Sequence, residues 1–281
     1  MSATPPSRLA PSVTAVVNTA RASRIQLSLC VGAVIFLMWL DYYVNYSEWT
    51  DIGAIRRLCN MTREDALASW FQVTQTLLTG LTALLIWFSA RHRRSGGWHS
   101  TGWLVVALFF LYMAVDDGAQ VHERIGTAFD ELRERGVGPG VLFPSYAWQI
   151  LFVPLLGGVG LFMFAFLWRT LAGRAARLTV LLAIALQAAA VGLDFQEGLA
   201  PDHSLNVYSA IVNRWDFVEF ADRQFGETPF DTVTHFSQSL EEGVEMISIA
   251  LFWTLFIRRL AQEPRELMLR FTDPASPPSQ A

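Results

Sequence analysis

Carboxylates and histidines recur in this chain inside stretches that are otherwise apolar. Asp116, Asp117, His122 and Glu123 stand in Ala114-Val-Asp-Asp-Gly-Ala-Gln-Val-His-Glu-Arg124, and Glu241, Glu242 and Glu245 in Leu240-Glu-Glu-Gly-Val-Glu-Met246. Asp194 and Glu197 end a third apolar stretch, Asp41 ends a fourth, and His235 precedes the Glu241 motif. Mixed carboxylate and imidazole ligands suit zinc, iron or manganese. Asp116, His122, Glu123, Asp194, Glu197, His235, Glu241 and Glu245 are therefore the expected ligands of a divalent metal ion. A carboxylate just outside such a shell can serve as a general base for metal-activated water, a role that falls to Asp117 or Glu242. At about 100° per residue, Asp116, Gln120 and Glu123 share one stripe of a helix, as do Gln238, Glu241 and Glu245. His235, Ser239 and Glu242 form the neighbouring stripe. The Glu-x-x-His spacing of soluble di-metal bundles is absent.

So many anions in a low-dielectric setting cannot all stay ionised. They share protons, as paired carboxyls do, or a cation neutralises them. Lys cannot supply that cation, because all 21 basic residues are Arg. The absence of Lys also excludes retinal binding and Schiff-base catalysis. A net charge of −4 argues against nucleic-acid binding, and two Cys cannot build a disulfide scaffold or a zinc finger.

The elements that must position these groups follow from the hydropathy pattern. Of 281 residues 52% are hydrophobic and 16% charged, against roughly 25% charged in soluble domains. One membrane crossing takes about 20 apolar residues in helix. Six windows qualify, at 25–46, 67–90, 101–123, 143–168, 177–197 and 236–258. The expected fold is an all-α polytopic membrane bundle of six helices occupying residues 25–260, with an outer loop at 198–235. Residues 1–24 and 261–281 are expected as disordered tails. Arg clusters in the N-terminal tail, at 91–94, at 169–177 and at 258–270. These regions fall on one side of a six-span bundle, so both termini are expected in the cytoplasm, with the first span an uncleaved anchor. The all-Arg, Ala-rich composition associates with a bacterial plasma (inner) membrane.

At 1.5 Å per residue, Asp41, Asp116 and Asp194 lie about two-thirds of the way across, and Glu241, Glu242 and Glu245 reach a similar level. Four helices thus place carboxylates in the outer half, open to a small molecule or ion from outside. Gln72, Thr74, Gln75 and Thr76 of the second span stand at the same level as supporting polar groups. Asp41, beside Tyr42 and Tyr43, is read as a marker of the interfacial aromatic belt, with Trp residues as further anchors. Gly157, Gly158 and Gly160 are expected to allow close helix packing. Residues 206–224 have the pattern of an amphipathic helix over the cavity mouth, and Cys30 and Cys59 are expected to be free.

The Ala114–Arg124 and Leu240–Met246 motifs together resemble a group of uncharacterised bacterial multipass membrane proteins with an acidic, His-Glu-ended third helix and a Glu-Glu-Gly-x-Glu-Met last helix. That resemblance implies a six- or seven-span bundle and no particular activity. A weaker likeness connects the chain with the alkaline ceramidase and adiponectin-receptor superfamily of seven-span zinc hydrolases. Three functions are consistent with the residues. The leading one is an outward-facing metal site, as of a hydrolase acting on a lipid-like or periplasmic substrate. The others are a proton- or cation-coupled transporter and a sensory or assembly subunit without chemistry.

Overall fold

The computed structural model describes residues 18–47, 49–92, 97–135, 145–146, 148–214, 219 and 228–262. Every regular element among them is helical. The long helices are α1 (Thr19–Asp41), α3 (Leu67–His92), α4 (Gly97–Ala119), α6 (Trp148–Thr170), α7 (Arg174–Glu197) and α9 (Pro229–Ala261); α1 runs on through a π-helical turn at Tyr42–Tyr46. Shorter helices α2 (Gly53–Cys59), α5 (Val121–Glu134) and α8 (Val207–Arg214) lie in the connections.

Caps define the ends of the two helices that hold the bundle together. Asn18 accepts a hydrogen bond from the Arg21 N–H and starts α1. Thr228 does the same for Asp231 at the start of α9, where Pro229 occupies the first helical position. Thr19–Arg24 thus belong to a helix rather than to the expected N-terminal tail; residues 1–17 and 263–281 lie outside the described residues.

Five helices are long and apolar enough to cross a membrane: Thr19–Tyr46, Leu67–His92, Gly97–Ala119, Phe152–Thr170 and Arg174–Glu197. The sixth expected span, 236–258, lies within α9, which is longer than any of these at 33 residues. Glu241, Glu242 and Glu245, with Arg258 and Arg259 near its end, charge it more heavily than the other five. Trp39, Trp49, Trp70 and Trp98, at or beyond helix ends, are exposed.

The third expected span, 101–123, is divided. α4 stops at Ala119, Gln120 takes a positive φ of 55°, and α5 sets off in a new direction. A non-glycine residue with positive φ is uncommon and ends a helix. Asp116 and Glu123 therefore stand on different helices, not on one stripe. α5 has apolar residues on one side and charges on the other, a pattern of interfacial helices.

α9 is the hub, packed against α1, α3 and α7, while α3 pairs with α4 along its length. Where the Arg-rich connections lie, an apolar core joins Trp103, Phe110, Phe166, Phe252 and Phe256 with Ile86, Leu167 and Val180. Trp103 meets Phe166 and Phe256 edge-on, with ring centroids 5.6 and 5.4 Å apart, an arrangement aromatic quadrupoles favour. Polar ties across this packing are few and directional. Gln75 donates to the Met246 carbonyl at 3.1 Å, Ser248 to that of Ala183 at 2.8 Å, and Arg258 to the Ser23 hydroxyl at 3.0 Å.

Glycine permits the closest approach in this core. A Cβ on Gly102 would lie 2.1 Å from Cε2 of Phe166, a ring already held by Trp103. Gly102→Ala is expected to cost about 1–3 kcal/mol through overpacking. A fall in the thermal midpoint of the detergent-solubilised protein, followed by circular dichroism, checks it.

Candidate functional site

At the opposite end of the bundle the helices part around a cavity of about 1040 Å³. Its walls take carboxylates from four helices and one connection: Asp116 and Asp117 of α4, Glu123 of α5, Asp194 and Glu197 of α7, Glu241, Glu242 and Glu245 of α9, and Glu64 from the segment between α2 and α3. His122 and Arg63 are the basic residues on the lining. Beneath the acidic rim the lining becomes apolar, with Phe109, Phe110, Met163, Phe164, Ile184 and Phe252.

The break after α4 positions one side of this site. Asp116, only 2% exposed, accepts the His122 backbone N–H at 3.0 Å on Oδ1 and pairs with His122 Nδ1 at 2.9 Å on Oδ2. One carboxylate thereby caps the first turn of α5, where anions are favoured, and fixes the imidazole. The ring stands edge-on to Trp148, 4.7 Å away between centroids. Arg124 turns back to donate to the Ala119 carbonyl at 2.9 Å, so this cation caps α4 and is absent from the lining. Burial lowers the His122 pKa, but the hydrogen bond and charge of Asp116, with Glu123 and Glu64, more than offset this and hold it above its usual value.

Neutral donors hold the carboxylates on the other side. Gln149 donates to Asp194 at 2.7 Å, Tyr146 to Glu197 at 2.9 Å, and Gln187 to Glu245 at 2.8 Å. Gln238 also donates to Glu197. Burial, then the charge and hydrogen bond of Glu197, push the Tyr146 hydroxyl above the usual tyrosine range. Asp117 Oδ2 and Glu64 Oε2 are buried and have no hydrogen-bond partner.

Of the ten residues expected at the site, nine line this one cavity: Asp116, Asp117, His122, Glu123, Asp194, Glu197, Glu241, Glu242 and Glu245. His235 does not. It turns toward α1, where its Nε2 meets Asp41 Oδ2 at 2.8 Å and Ser239 donates to the same oxygen at 3.0 Å. Asp41, 2% exposed, is thus a buried anchor between α1 and α9 rather than part of an interfacial belt. Helical phase does not explain the separation, since Glu242 lies only about 20° round from His235; the two differ in level, His235 standing two turns nearer the start of α9, where Asp41 of α1 meets it.

Among the described residues no three His, Cys, Asp or Glu side chains converge in a group able to hold a metal ion. The carboxylates line one wide chamber. Cys30 and Cys59 are free thiols. Gly157, Gly158 and Gly160 do not mediate close packing, since a Cβ on any of them would meet nothing within 4 Å. Of the expected lid, residues 206–214 are described and include α8; 215–218 and 220–224 lie outside the described residues. Tyr208 of α8 shares a hydrogen bond with Ser237 of α9.

Four participants were not expected from the sequence: Glu64, Tyr146, Gln149 and Gln187. Glu64 looks like one charge in a mixed Arg63-Glu64-Asp65 turn, and nothing in local spacing shows that the turn folds over Glu123. The two glutamines carried the only available signal, as isolated amides in apolar runs. Gln72, expected as a supporting group, does line the cavity, while Gln75 and Thr76 are buried within the bundle.

The chain belongs to the family described as a domain of unknown function (DUF8692), whose model matches residues 27–260. No curated protein and no solved structure matches the chain.

Burial, with the charge and hydrogen bond of Glu123, raises Glu64 from its usual 4.5 to about 7. Between those values the folded protein keeps a proton that the unfolded chain releases, so this group's contribution falls as pH rises through the window. Glu64→Gln is therefore expected to raise the thermal midpoint above that of the wild type at pH 8. The gain should disappear on acidification toward pH 4.5. An offset equal at both ends of a pH series of melts would contradict this account of Glu64.

Proposed function

We propose that this member of the DUF8692 family crosses a bacterial plasma membrane six times, with both termini cytoplasmic, and binds a cation in an outward-facing cavity between its helices. The Arg distribution supports the orientation. The length of α9, 33 residues or about 50 Å at 1.5 Å per residue, supports the sixth crossing. One observation carries the functional reading: nine carboxylates line a single cavity against His122 and Arg63 as its basic residues.

The character of the cation follows from the shape and partners of the site. A bare divalent ion needs ligands converging at roughly 2.0–2.6 Å, and no triad among the described residues provides that. The chamber is far larger than one ion requires. Neutral amide and hydroxyl donors hold Asp194, Glu197 and Glu245, and Tyr146 and Trp148 add aromatic surface. Dispersed anions with aromatic faces suit an ammonium group attached to a larger body. The divalent-metal reading, to which the mixture of carboxylate and imidazole points, makes a different forecast in the same experiment.

Ethylammonium binding to the purified protein, measured by calorimetry, and metal content, measured by mass spectrometry, separate the two. The organic-cation reading expects saturable ethylammonium binding that falls on the order of tenfold or more in Glu241→Gln/Glu245→Gln, as loss of charge-assisted contacts implies. It expects metal well below one equivalent in both proteins. Stoichiometric metal in the wild type that is lost in the double variant would transfer the site to zinc, iron or manganese.

A further inference from the structure

The acidic chamber continues sideways between α6 and α7. Val153, Gly157 and Leu161 follow one another at four-residue intervals on α6 and all line the cavity. Leu181, Ala188 and Val191 form the matching stripe of α7 and line it too. In a helical hairpin these facing stripes would make the seam. Here they stand apart.

Among the described residues the two helices are tied together toward their ends. Near the acidic rim, Gln149 donates to Asp194, and Ser145 donates to the Phe195 carbonyl at 3.0 Å. At the other end Met163, Phe166 and Leu167 enter the aromatic core with Val180 and Ala183. Between these contacts the wall is open. Leu161 is 73% exposed and Leu181 48%, although both line the cavity, which places them at an opening. A Cβ on Gly157 would meet nothing within 4 Å, so α6 has no close neighbour there among the described residues.

We infer that the α6–α7 gap is a lateral portal for the tail of a cationic single-chain amphiphile, whose ammonium group sits among the carboxylates while its alkyl chain lies along Gly157. This rests on the proposed cation site and names the class of molecule that fills it. Three observations point to such an occupant. The apolar gap is continuous with the acidic chamber. It spans Val153 to Leu161, about 12 Å at 1.5 Å per residue, as an extended chain would. Asp117 Oδ2 is buried on the lining without a partner, as an acceptor awaiting a donor would be. Charge complementarity excludes an anionic headgroup from the same position.

The test uses the full chain in phosphatidylcholine nanodiscs, with empty nanodiscs subtracted to remove partitioning into lipid. Radiolabelled dodecylammonium is the probe, ethylammonium the competitor without a tail, and dodecyl sulfate the anionic control. Wild-type protein is expected to bind dodecylammonium at least on the order of tenfold more tightly than ethylammonium, through buried methylenes, and to bind dodecyl sulfate no better than empty discs do. Gly157→Trp, which fills the gap, should remove that tail-dependent gain and leave ethylammonium binding intact. Equal affinity for the two ammonium ions in the wild type, or equal binding of dodecyl sulfate, overturns the portal. Retention of the full gain in Gly157→Trp overturns it as well. Failure of ethylammonium to bind the wild type would overturn the cation site itself. If Gly157→Trp does not fold, the chain-length comparison in the wild type decides alone.

Discussion

A carboxylate removed from water must find donors, protons or a counter-ion, and that requirement organises one whole end of this bundle. The apolar end needs nothing comparable: Trp103, Phe110, Phe166 and Phe256 settle by shape and ring geometry. At the acidic end three of the helices that bring carboxylates are answered by another element that brings a donor. Gln149 of α6 serves Asp194 of α7, Gln187 of α7 serves Glu245 of α9, and His235 of α9 serves Asp41 of α1. These pairs cross helix boundaries. The polar contacts therefore fix how the helices are arranged as well as satisfying the groups themselves, as interhelical hydrogen bonds do in membranes.

α9 carries most of this arrangement because its two sides do different work. One meets α1 through His235 and Ser239, and the other presents Glu241 and Glu245 to the cavity, which Glu242, two turns on from His235, also lines. Gly243 between them comes close to α1, where a Cβ would lie 3.2 Å from the Met38 sulfur. A helix so loaded with carboxylates is costly to leave facing lipid. Its position at the centre, covered by α1, α3 and α7, follows from that cost. The break at Gln120 has a similar origin. With the chain turned there, Asp116 can reach the His122 N–H in the first turn of α5 and the His122 ring together, two favourable interactions set against one residue in the left-handed region.

Much of this was legible in the sequence, for a specific reason. Apolar length identifies helices, and converting position to depth brings Asp116, Asp194 and Glu241 to one level without any knowledge of packing. Nine of the ten expected residues share the cavity because level and approximate helical phase were enough to bring them there. The departures are all tertiary. His235 and Glu242 are a full seven residues apart on the same helix, yet the partner of one is Asp41, far away in the chain, and no local pattern announces that pairing. The end of α4 was hidden because Gly118-Ala-Gln120 lacks a proline and the apolar pattern runs past it. Glu64 was hidden because a charge in a polar turn looks the same whether or not the turn covers a cavity.

The glycines of α6 show most directly how a correct local reading can acquire a different meaning. Small residues in a membrane helix let a neighbour approach, and helices associate there chiefly through the packing that results. Gly157, Gly158 and Gly160 have the composition for such a seam and none of the contacts. A helix joined to its partner near both ends but not between forgoes the dispersion energy of its middle turns, and the loss must be met by whatever occupies the space. Water gains little against Val153, Leu161 and Leu181, whereas a hydrocarbon chain restores the missing contacts. The same gap leads directly to a chamber where nine carboxylates face His122 and Arg63. An apolar slot and an anionic chamber joined without a barrier call for opposite chemistries at the two ends of one molecule, and an alkylammonium ion supplies both.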